Sequence, residues 1–364
     1  MDAMSSATII EESLVQMAGQ KRIPLGGSLE LLPLCNMNCD MCYVRLSHKE
    51  MERKGRMRTA EEWLELAKEM KEQGVLFLLL TGGEPFLYPN FKKLYRGLAQ
   101  MGMIITINSN GTLIDEALAD FLLEHKPRRV NITLYGKDSA TYRELCHYEG
   151  GFEKTLQGIR LLRERQIDVK LNGSLTKANR DDVEELIRLA EELQVPIQID
   201  TYMYPAARER DCGFHEESRL IPEDAAAAKI EILKCSLDEK KFKEYQQYIK
   251  EKGNLERPEK RDCSVKCRAG KSSFIINWQG NMTPCIMLKE PFVNVFEHGF
   301  QKAWKYIVDE TEKIRVSETC VTCARREICQ TCAACALLET GAYDGVPEYM
   351  CRYTEKMVEV IEKE

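Results

Sequence analysis

The chain has 364 residues, a length that fits one large domain together with a smaller one. Its formal net charge is -6 and its hydrophobic fraction is 44%, so the composition is that of a globular protein and gives no indication of a nucleic-acid-binding surface. No apolar run approaches the roughly 20 residues of a membrane helix, and the N-terminus is acidic, so we expect a soluble cytoplasmic protein with no nucleic-acid or membrane partner.

After an N-terminal extension at 1–27, short apolar runs alternate with amphipathic segments from residue 28 to 215. This alternation predicts parallel strands joined by crossover helices. The predicted strands are 29–32, 75–80, 103–108, 130–134, 167–172 and 196–201. The predicted helices are 60–73, 91–101, 115–125, 152–165 and 181–193. Six such units predict an α/β fold, a partial (βα)6 barrel of the TIM type, whose chemistry lies on loops after the C-terminal strand ends.

Three cysteines, Cys35, Cys39 and Cys42, stand shortly after the first predicted strand. Three thiolates at this spacing can hold a [4Fe–4S] cube by three of its four irons, which leaves one iron open to a small molecule. A structural zinc site would need a fourth protein ligand, for which His48 is the nearest candidate. Iron–sulfur and zinc therefore both remain open at this point.

A glycine-rich segment, residues 82–85, follows the second predicted strand. Two glycines let backbone groups approach a ligand closely, and Glu84 supplies a carboxylate for a cationic amine. Because this segment and the cysteine loop both follow C-terminal strand ends, they share one face of the predicted barrel. The sequence therefore predicts a small-molecule site where the two loops meet.

The cysteine triplet resembles the CxxxCxxC signature of the radical S-adenosylmethionine (SAM) superfamily, and residues 82–85 resemble its GGEP motif. The resemblance covers residues 28–205 and implies that the three cysteines hold a [4Fe–4S] cluster whose fourth iron is chelated by SAM. It also implies reductive cleavage of SAM to a 5′-deoxyadenosyl radical, with an electron donor such as flavodoxin or ferredoxin. That radical would abstract a hydrogen atom from an unactivated C–H bond.

By the same resemblance, several loops would contact SAM. The residue before the third cysteine is often aromatic in the superfamily; here it is Met41, which we expect to pack against adenine. The expected SAM-contacting residues are Met41, Tyr43, Gly82, Gly83, Glu84, Pro85, Asn108, Ser109, Asn110 and Thr133. The sequence assigns no catalytic side chain.

Residues 216–262 form a predicted helical bridge, in which the alanine-rich stretch Ala225–Ala228 is expected to be exposed. Residues 263–364 are punctuated by cysteines and predict a small domain organised by metal and closed by a C-terminal helix. Nine of the 15 cysteines lie between Cys263 and Cys351, a spacing that suits thiolates on metal better than disulfides. Three others fit no cluster and are interpreted as ordinary thiols: Cys146, Cys212 and Cys235.

The C-terminal cysteines resemble the SPASM domain of radical SAM enzymes that act on peptides and proteins. The family spacing falls on Ala333, so a flanking cysteine, Cys332 or Cys335, would substitute as a ligand. The resemblance implies two auxiliary [4Fe–4S] clusters. Their ligands would be Cys263, Cys267, Cys285 and Cys332 or Cys335 in one, and Cys320, Cys323, Cys329 and Cys351 in the other. Two alternatives remain: Cys263 is not a ligand and leaves an open iron, or the domain holds two zinc knuckles.

The domain pattern favours one function among several. A SPASM-like domain favours modification of a ribosomally made precursor peptide, by a thioether, another crosslink or epimerisation, with leader recognition by a separate protein or by another surface. An anaerobic sulfatase maturase would carry an aspartate after the cysteine that matches Cys285, whereas here Ile286 follows. A small-molecule radical SAM dehydrogenase and a non-catalytic metal carrier are the remaining alternatives.

Overall fold

The computed structural model describes residues 6–205, 210, 218–253 and 262–363. The expected boundary at residue 215 and the thiol of Cys212 lie outside this part. Within it, one sheet contains the strands β1 (Gly26–Glu30), β2 (Phe77–Thr81), β3 (Ile104–Ser109), β4 (Arg129–Thr133), β5 (Val169–Ser174), β6 (Ile197–Asp200), β7 (Ser273–Ile276), β8 (Asn281–Thr283) and β9 (Val293–Asn294). Their order across the sheet is β6-β5-β4-β3-β2-β1-β7-β8-β9.

The six strands expected from the sequence are all present, and each pairs in parallel with the next along the chain. This confirms the predicted partial barrel. The helices around the sheet are α1 (Ser6–Lys21), α2 (His48–Lys54), α3 (Ala60–Glu72), α4 (Phe91–Gln100), α5 (Glu116–Glu124), α6 (Ser139–Cys146), α7 (Gly151–Glu164), α8 (Val183–Glu192), α9 (Pro222–Ser236), α10 (Glu239–Lys252), α11 (Val295–His298), α12 (Phe300–Thr311), α13 (Glu318–Val321), α14 (Ala333–Thr340) and α15 (Glu348–Glu362).

The cysteine-rich region is joined to the barrel through the sheet itself. Strand β7 pairs in parallel with β1, and β8 and β9 continue the sheet in antiparallel register. The ring of Phe274 fills the space beside Gly27, where an added Cβ would lie 2.2 Å from a ring atom. The first barrel strand is therefore flanked by β2 on one side and by the C-terminal region on the other.

The bridge differs from its expected exposure. Helix α9 packs against α15, and Ala225, Ala226 and Ala228 are fully buried. The expectation that this stretch is exposed is wrong. Composition alone suggested exposure, whereas the small alanine side chains let the two helix backbones approach closely and are buried between them. None of the helices within the described residues is long and apolar enough to cross a membrane.

The barrel strands present two different faces. Residues such as Leu80, Ile107 and Ile132 are fully buried and belong to the apolar core with the surrounding helices. Alternate residues of a strand point to opposite faces, so the half-buried positions between them face the barrel interior. That interior face carries hydroxyl and amide groups at Ser28, Thr81, Thr106, Asn108, Asn131, Thr133, Asn172 and Ser174.

Candidate functional site

The loop that follows β1 carries the three clustered cysteines. The backbone N–H of Met37 donates to Cys35 Sγ at 3.4 Å, and that of Arg45 donates to Cys42 Sγ at 3.3 Å. Burial, opposed by the Met37 hydrogen bond, raises the pKa of Cys35 to about 12. A thiolate there consequently needs a cation beside it, and iron coordination supplies one. The donor set fits an iron–sulfur cluster.

The C-terminal end of α6 holds this cysteine loop in place. The N–H of Asn38 donates to the carbonyl of Cys146 at 3.0 Å, and the N–H of Asp40 donates to that of Leu145 at 3.1 Å. The thiol of Cys146 is fully buried, and its hydrogen bond with Cys39 raises the pKa of Cys39. Cys146 is therefore a neighbour of the candidate cluster, a contact that its position in the sequence did not indicate.

The glycine pair after β2 lets two backbone segments meet. The N–H of Gly83 donates to Leu32 O at 2.8 Å, and the N–H of Glu84 donates to Leu34 O at 2.9 Å. A Cβ on Gly83 would lie 2.2 Å from Leu34 O, and Gly82 has φ +155° with its Cβ direction occupied by Leu32 O. The glycines therefore allow the segment to lie directly against the entrance of the cysteine loop.

Glu84 ties this segment to the loop that follows β3. Its fully buried carboxylate accepts hydrogen bonds from Ser109 Oγ at 2.9 Å, Asn110 N at 2.8 Å and Phe86 N at 3.1 Å. Burial raises the pKa of Glu84 to about 7, against the opposing effect of these hydrogen bonds. In this structure the Glu84 carboxylate joins the segment 82–85 to the loop that follows β3, and its expected role toward an amine ligand stays a prediction.

The loop after β3 reaches the first cysteine. Asn110 Nδ2 lies 3.6 Å from Cys35 Sγ and donates to Asn36 Oδ1 at 2.9 Å. Helix α7 supports the loop, because Thr155 Oγ1 donates to Asn110 O at 3.0 Å. A Cβ on Gly158 would lie 2.4 Å from Gly111 O, so only glycine lets α7 approach the loop this closely. The loops after β1, β2 and β3 thus converge at one end of the barrel.

The remaining expected SAM contacts lie around this convergence. Asn108 accepts a hydrogen bond from Asn131 Nδ2 at 2.8 Å on the interior face, and Thr133 lies half-buried at the end of β4. Pro85 is buried and begins a 3₁₀ turn. Met41 is half-buried against the apolar core, and Tyr43 is half-buried two residues further along.

Four C-terminal cysteines surround a second space. A cavity of about 180 Å³ is lined by Cys320, Cys323, Cys329 and Cys351. Burial and then the three other thiols raise the pKa of Cys351 to about 11. This fourfold thiol set suits a cluster held entirely by protein.

A second group gathers near β7. Burial raises the pKa of Cys285 to about 11, and the nearby thiols of Cys332 and Cys267 contribute to this increase. Cys335 is buried within α14, and Cys263 is half-buried, with its carbonyl accepting from Val316 N at 2.9 Å. In the described ranges, no three His, Cys, Asp or Glu side chains converge as one metal ion would require.

The barrel interior communicates with this second group. A cavity of about 570 Å³ is lined by Thr106 and Asn131 of the barrel and by Cys267 and Cys285 of the C-terminal region. Glu11 of α1 lies at the same cavity and pairs with Arg128 at 2.7 Å. The volume is within the range of about 300–1,000 Å³ that is usual for ligand pockets.

Comparison with known families matches both halves of the chain. The profile of the radical SAM superfamily matches residues 29–190, and that of the iron–sulfur cluster-binding SPASM domain matches residues 267–336.

Named relatives span most of the chain. An AdoMet-dependent heme synthase of Methanosarcina barkeri is 25% identical, covering 86% of this chain and 92% of the relative. The antilisterial bacteriocin subtilosin biosynthesis protein AlbA of Bacillus subtilis is 24% identical, covering 82% of this chain and 64% of its own. The structure of Streptococcus suis SuiB bound to its precursor peptide SuiA has a TM-score of 0.68 and 18% identity, covering 96% of this chain and 82% of that one.

Proposed function

The chain is a radical SAM enzyme with a SPASM-type iron–sulfur domain, and from this premise we propose that it abstracts a hydrogen atom from a peptide substrate. The substrate would be a ribosomally made precursor peptide, and the product a crosslink, a thioether or an epimerised residue. Two named similarities support this proposal, since AlbA is described as a bacteriocin biosynthesis protein and SuiB was crystallised with a precursor peptide.

The observation that carries the proposal is the cavity shared by the barrel interior and the auxiliary cysteines. Its barrel side includes Ser28, Thr106 and Asn131, which belong to the interior face of hydroxyl and amide side chains. Such groups both donate and accept hydrogen bonds, as the amides of a peptide backbone require. A peptide in this cavity would lie between the SAM site and the auxiliary cluster.

The residue roles in this proposal follow the converging loops. Cys35, Cys39 and Cys42 would hold the SAM-binding cluster, and Asn110 would position its first ligand. Bound together, the reduced cluster and SAM supply a 5′-deoxyadenosyl radical. The backbone around Gly82–Glu84 would shape the SAM site, and the barrel wall would exclude water and orient the peptide. Two auxiliary clusters would lie in a C-terminal domain that begins at residue 263.

The test uses anaerobic, iron-reconstituted enzyme with SAM, a reductant and short peptides encoded near its gene. We expect 5′-deoxyadenosine to form together with a mass change in one peptide. When that peptide is supplied in deuterated form, deuterium should appear in 5′-deoxyadenosine. A Cys39→Ala variant is the matched control, because it removes one cluster ligand and leaves the peptide cavity intact. SAM cleavage without change in any such peptide, with or without an added leader-recognition protein and flavodoxin, would count against a peptide substrate.

A second candidate is a tetrapyrrole substrate, because the relative named as a heme synthase spans 86% of this chain at 25% identity. Tetrapyrroles absorb strongly in the visible region, so binding is directly observable. Adding an iron porphyrin to the enzyme under the same conditions distinguishes the two functions. A porphyrin spectral change coupled to 5′-deoxyadenosine release would favour this second function over the first.

A further inference from the structure

Two further cavities continue from the barrel cavity across the C-terminal strands. The barrel cavity shares the lining residues Ile275 and Ile286 with a second cavity of about 290 Å³. The second cavity shares Asn281 and Phe292 with a third, of about 540 Å³, which reaches α12. Each cavity therefore adjoins the next at the residues they share, and the series ends at the edge strand β9. Together, the second and third cavities form an outer groove.

The floor of the outer groove is the same sheet face that lines the barrel interior. Ser28 of β1 pairs with Ile275 of β7, and Ile275 pairs with Thr283 of β8. Residues paired across neighbouring strands lie on one face of a sheet. The alternate residues Phe274 and Ile276 are buried in the apolar core on the other face. A ligand on this face would pass from β9 to the barrel cavity without crossing the sheet.

Side-chain amides are held in place along this floor. Asn277 Oδ1 accepts from the backbone N–H groups of Gln279 at 3.0 Å and Asn281 at 2.9 Å. Asn281 Oδ1 in turn accepts from Asn294 Nδ2 at 3.0 Å. These bonds use the amide oxygens, whereas each amide nitrogen carries two hydrogens. The floor therefore has N–H donors that suit the carbonyl and carboxylate oxygens of a ligand.

The rim of the outer groove is mainly basic. Lys54 of α2 and Lys289 line the second cavity, and Lys302 of α12 lines the third. Of the described residues that line the groove, Glu297 alone carries a carboxylate, and His298 Nε2 lies 4.0 Å from it. The whole chain has a net charge of -6, so this basic rim contrasts with the rest of the molecule. Such a rim favours an acidic ligand.

Two exposed aromatic rings stand beside the lysines. Phe292, which lines both cavities of the outer groove, is 45% exposed, and Tyr306 of the third cavity is 41% exposed. Aromatic side chains are enriched where proteins bind other polypeptides, because they bury much apolar area at low entropic cost. The groove thus combines amide donors, lysines and aromatic rings, three groups that a peptide with acidic and apolar side chains would use.

We propose that the outer groove binds an acidic segment of the precursor peptide and so holds the reacting residue in the barrel cavity. The proposal deepens the proposed function and rests on it, because it takes the substrate to be a peptide. Adjacent strands lie about 4.8 Å apart, so the steps from β1 through β7 and β8 to β9 span about 14 Å, which roughly four to five extended residues cover. Recognition of the leader would then lie on the enzyme itself.

The first experiment measures peptide binding by fluorescence anisotropy, without SAM or reductant. The probe is a short fluorescein-labelled peptide of alternating glutamate and leucine, and its counterpart has lysine in place of glutamate. We expect the acidic peptide to bind, with an affinity that falls as salt is raised, and the basic peptide not to bind. Absence of binding by the acidic peptide overturns the groove assignment.

Charge reversal at one lysine locates the binding. Lys289→Glu should weaken binding of the acidic peptide about tenfold, because an attraction at the rim becomes a repulsion. Lys240→Glu is the matched control: it makes the same change of charge at an exposed lysine of α10, which lines none of these cavities, and should leave the affinity unchanged. Equal weakening in both variants would show only a general effect of net charge and would overturn the proposal.

Removal of the shared ring tests the apolar part of the groove. Phe292→Ala should weaken binding several-fold, whereas Leu123→Ala, an equally exposed apolar residue on α5, should not. Unchanged binding in Phe292→Ala overturns the aromatic contact.

The outcomes separate this proposal from the proposed function. A mass change in a precursor peptide that is unaffected by Lys289→Glu would support a peptide substrate and overturn the groove. An iron porphyrin that binds the wild-type protein but not Lys289→Glu, in the absence of peptide binding, would assign the groove to tetrapyrrole carboxylates instead.

Discussion

Replacing Gly83 by alanine tests how closely the SAM loop must lie against the cysteine loop. The added Cβ would stand 2.2 Å from Leu34 O and 2.6 Å from Leu34 C. Ordinary contacts of this kind begin near 3.5 Å, so the backbone that leads into Cys35 would have to move by about 1 Å. Overpacking of this kind costs about 1–3 kcal/mol, and a displacement of about 1 Å at a reacting site can lower activity about 10²-fold.

The assay measures three quantities on anaerobically reconstituted Gly83→Ala: the midpoint of urea unfolding, the iron content and the rate of 5′-deoxyadenosine formation. We expect a lowered midpoint, loss of the SAM-responsive cluster signal and retention of the auxiliary signals, because the clash is confined to the N-terminal loop. Gly19→Ala is the matched control: its Cβ would meet nothing within 4 Å, and alanine stabilises a helix interior by about 0.5–1 kcal/mol.

Unaltered SAM cleavage in Gly83→Ala would refute this reasoning, since it would show that the two segments can separate without cost to the site. Equal losses in both alanine variants would also contradict it, because only one of the two has a clash.

Three further changes test other parts of the structure. Ser109→Ala removes a buried hydrogen-bond donor to Glu84 and should lower the free energy of unfolding by about 1–3 kcal/mol, measured by urea unfolding. An unchanged midpoint would contradict a stabilising role for the Ser109–Glu84 hydrogen bond. Cys351→Ala should lose auxiliary iron yet still cleave SAM, whereas Cys235→Ala, exposed and outside every cluster, should keep all iron; equal metal contents would argue against the assignment. Gly158→Ala should displace the loop 109–112 and so weaken SAM binding, measured by calorimetry. An unchanged affinity for SAM would show that α7 does not support this loop.

The barrel was predictable because its signals are local. Strand alternation and helix periodicity placed all six barrel strands within a few residues of their observed bounds. The capping box at the start of α3 is also a local feature: Thr59 Oγ1 accepts from Glu62 N at 3.2 Å, and Glu62 Oε2 accepts from Thr59 N at 2.8 Å. Each of these features depends on residues only a few positions apart.

Contacts between distant segments were not predictable in the same way. The junction of β7 with β1 joins residues about 250 positions apart, although the apolar run Phe274–Ile276 followed by the turn at Gly280 could have indicated the hairpin. Cys146 lies beside Cys39 only because α6 folds back onto the loop. The buried face of α9 was missed because alanine is compatible with both exposure and close helix packing.

The choice between Cys332 and Cys335 shows a similar limit. Spacing alone places the two on either side of the family position, so it cannot separate them. In the folded chain Cys332 precedes α14 and lies near Cys285, whereas Cys335 is buried within α14.

Radical chemistry in this protein depends most directly on one iron of the N-terminal cluster being left for SAM. Electron–nuclear double resonance on the reduced enzyme, with SAM isotopically labelled at its amine nitrogen, tests this coordination. We expect a hyperfine coupling between the label and the cluster that disappears in Cys39→Ala. Absence of that coupling in iron-replete wild-type enzyme, or zinc at these three cysteines, would contradict it.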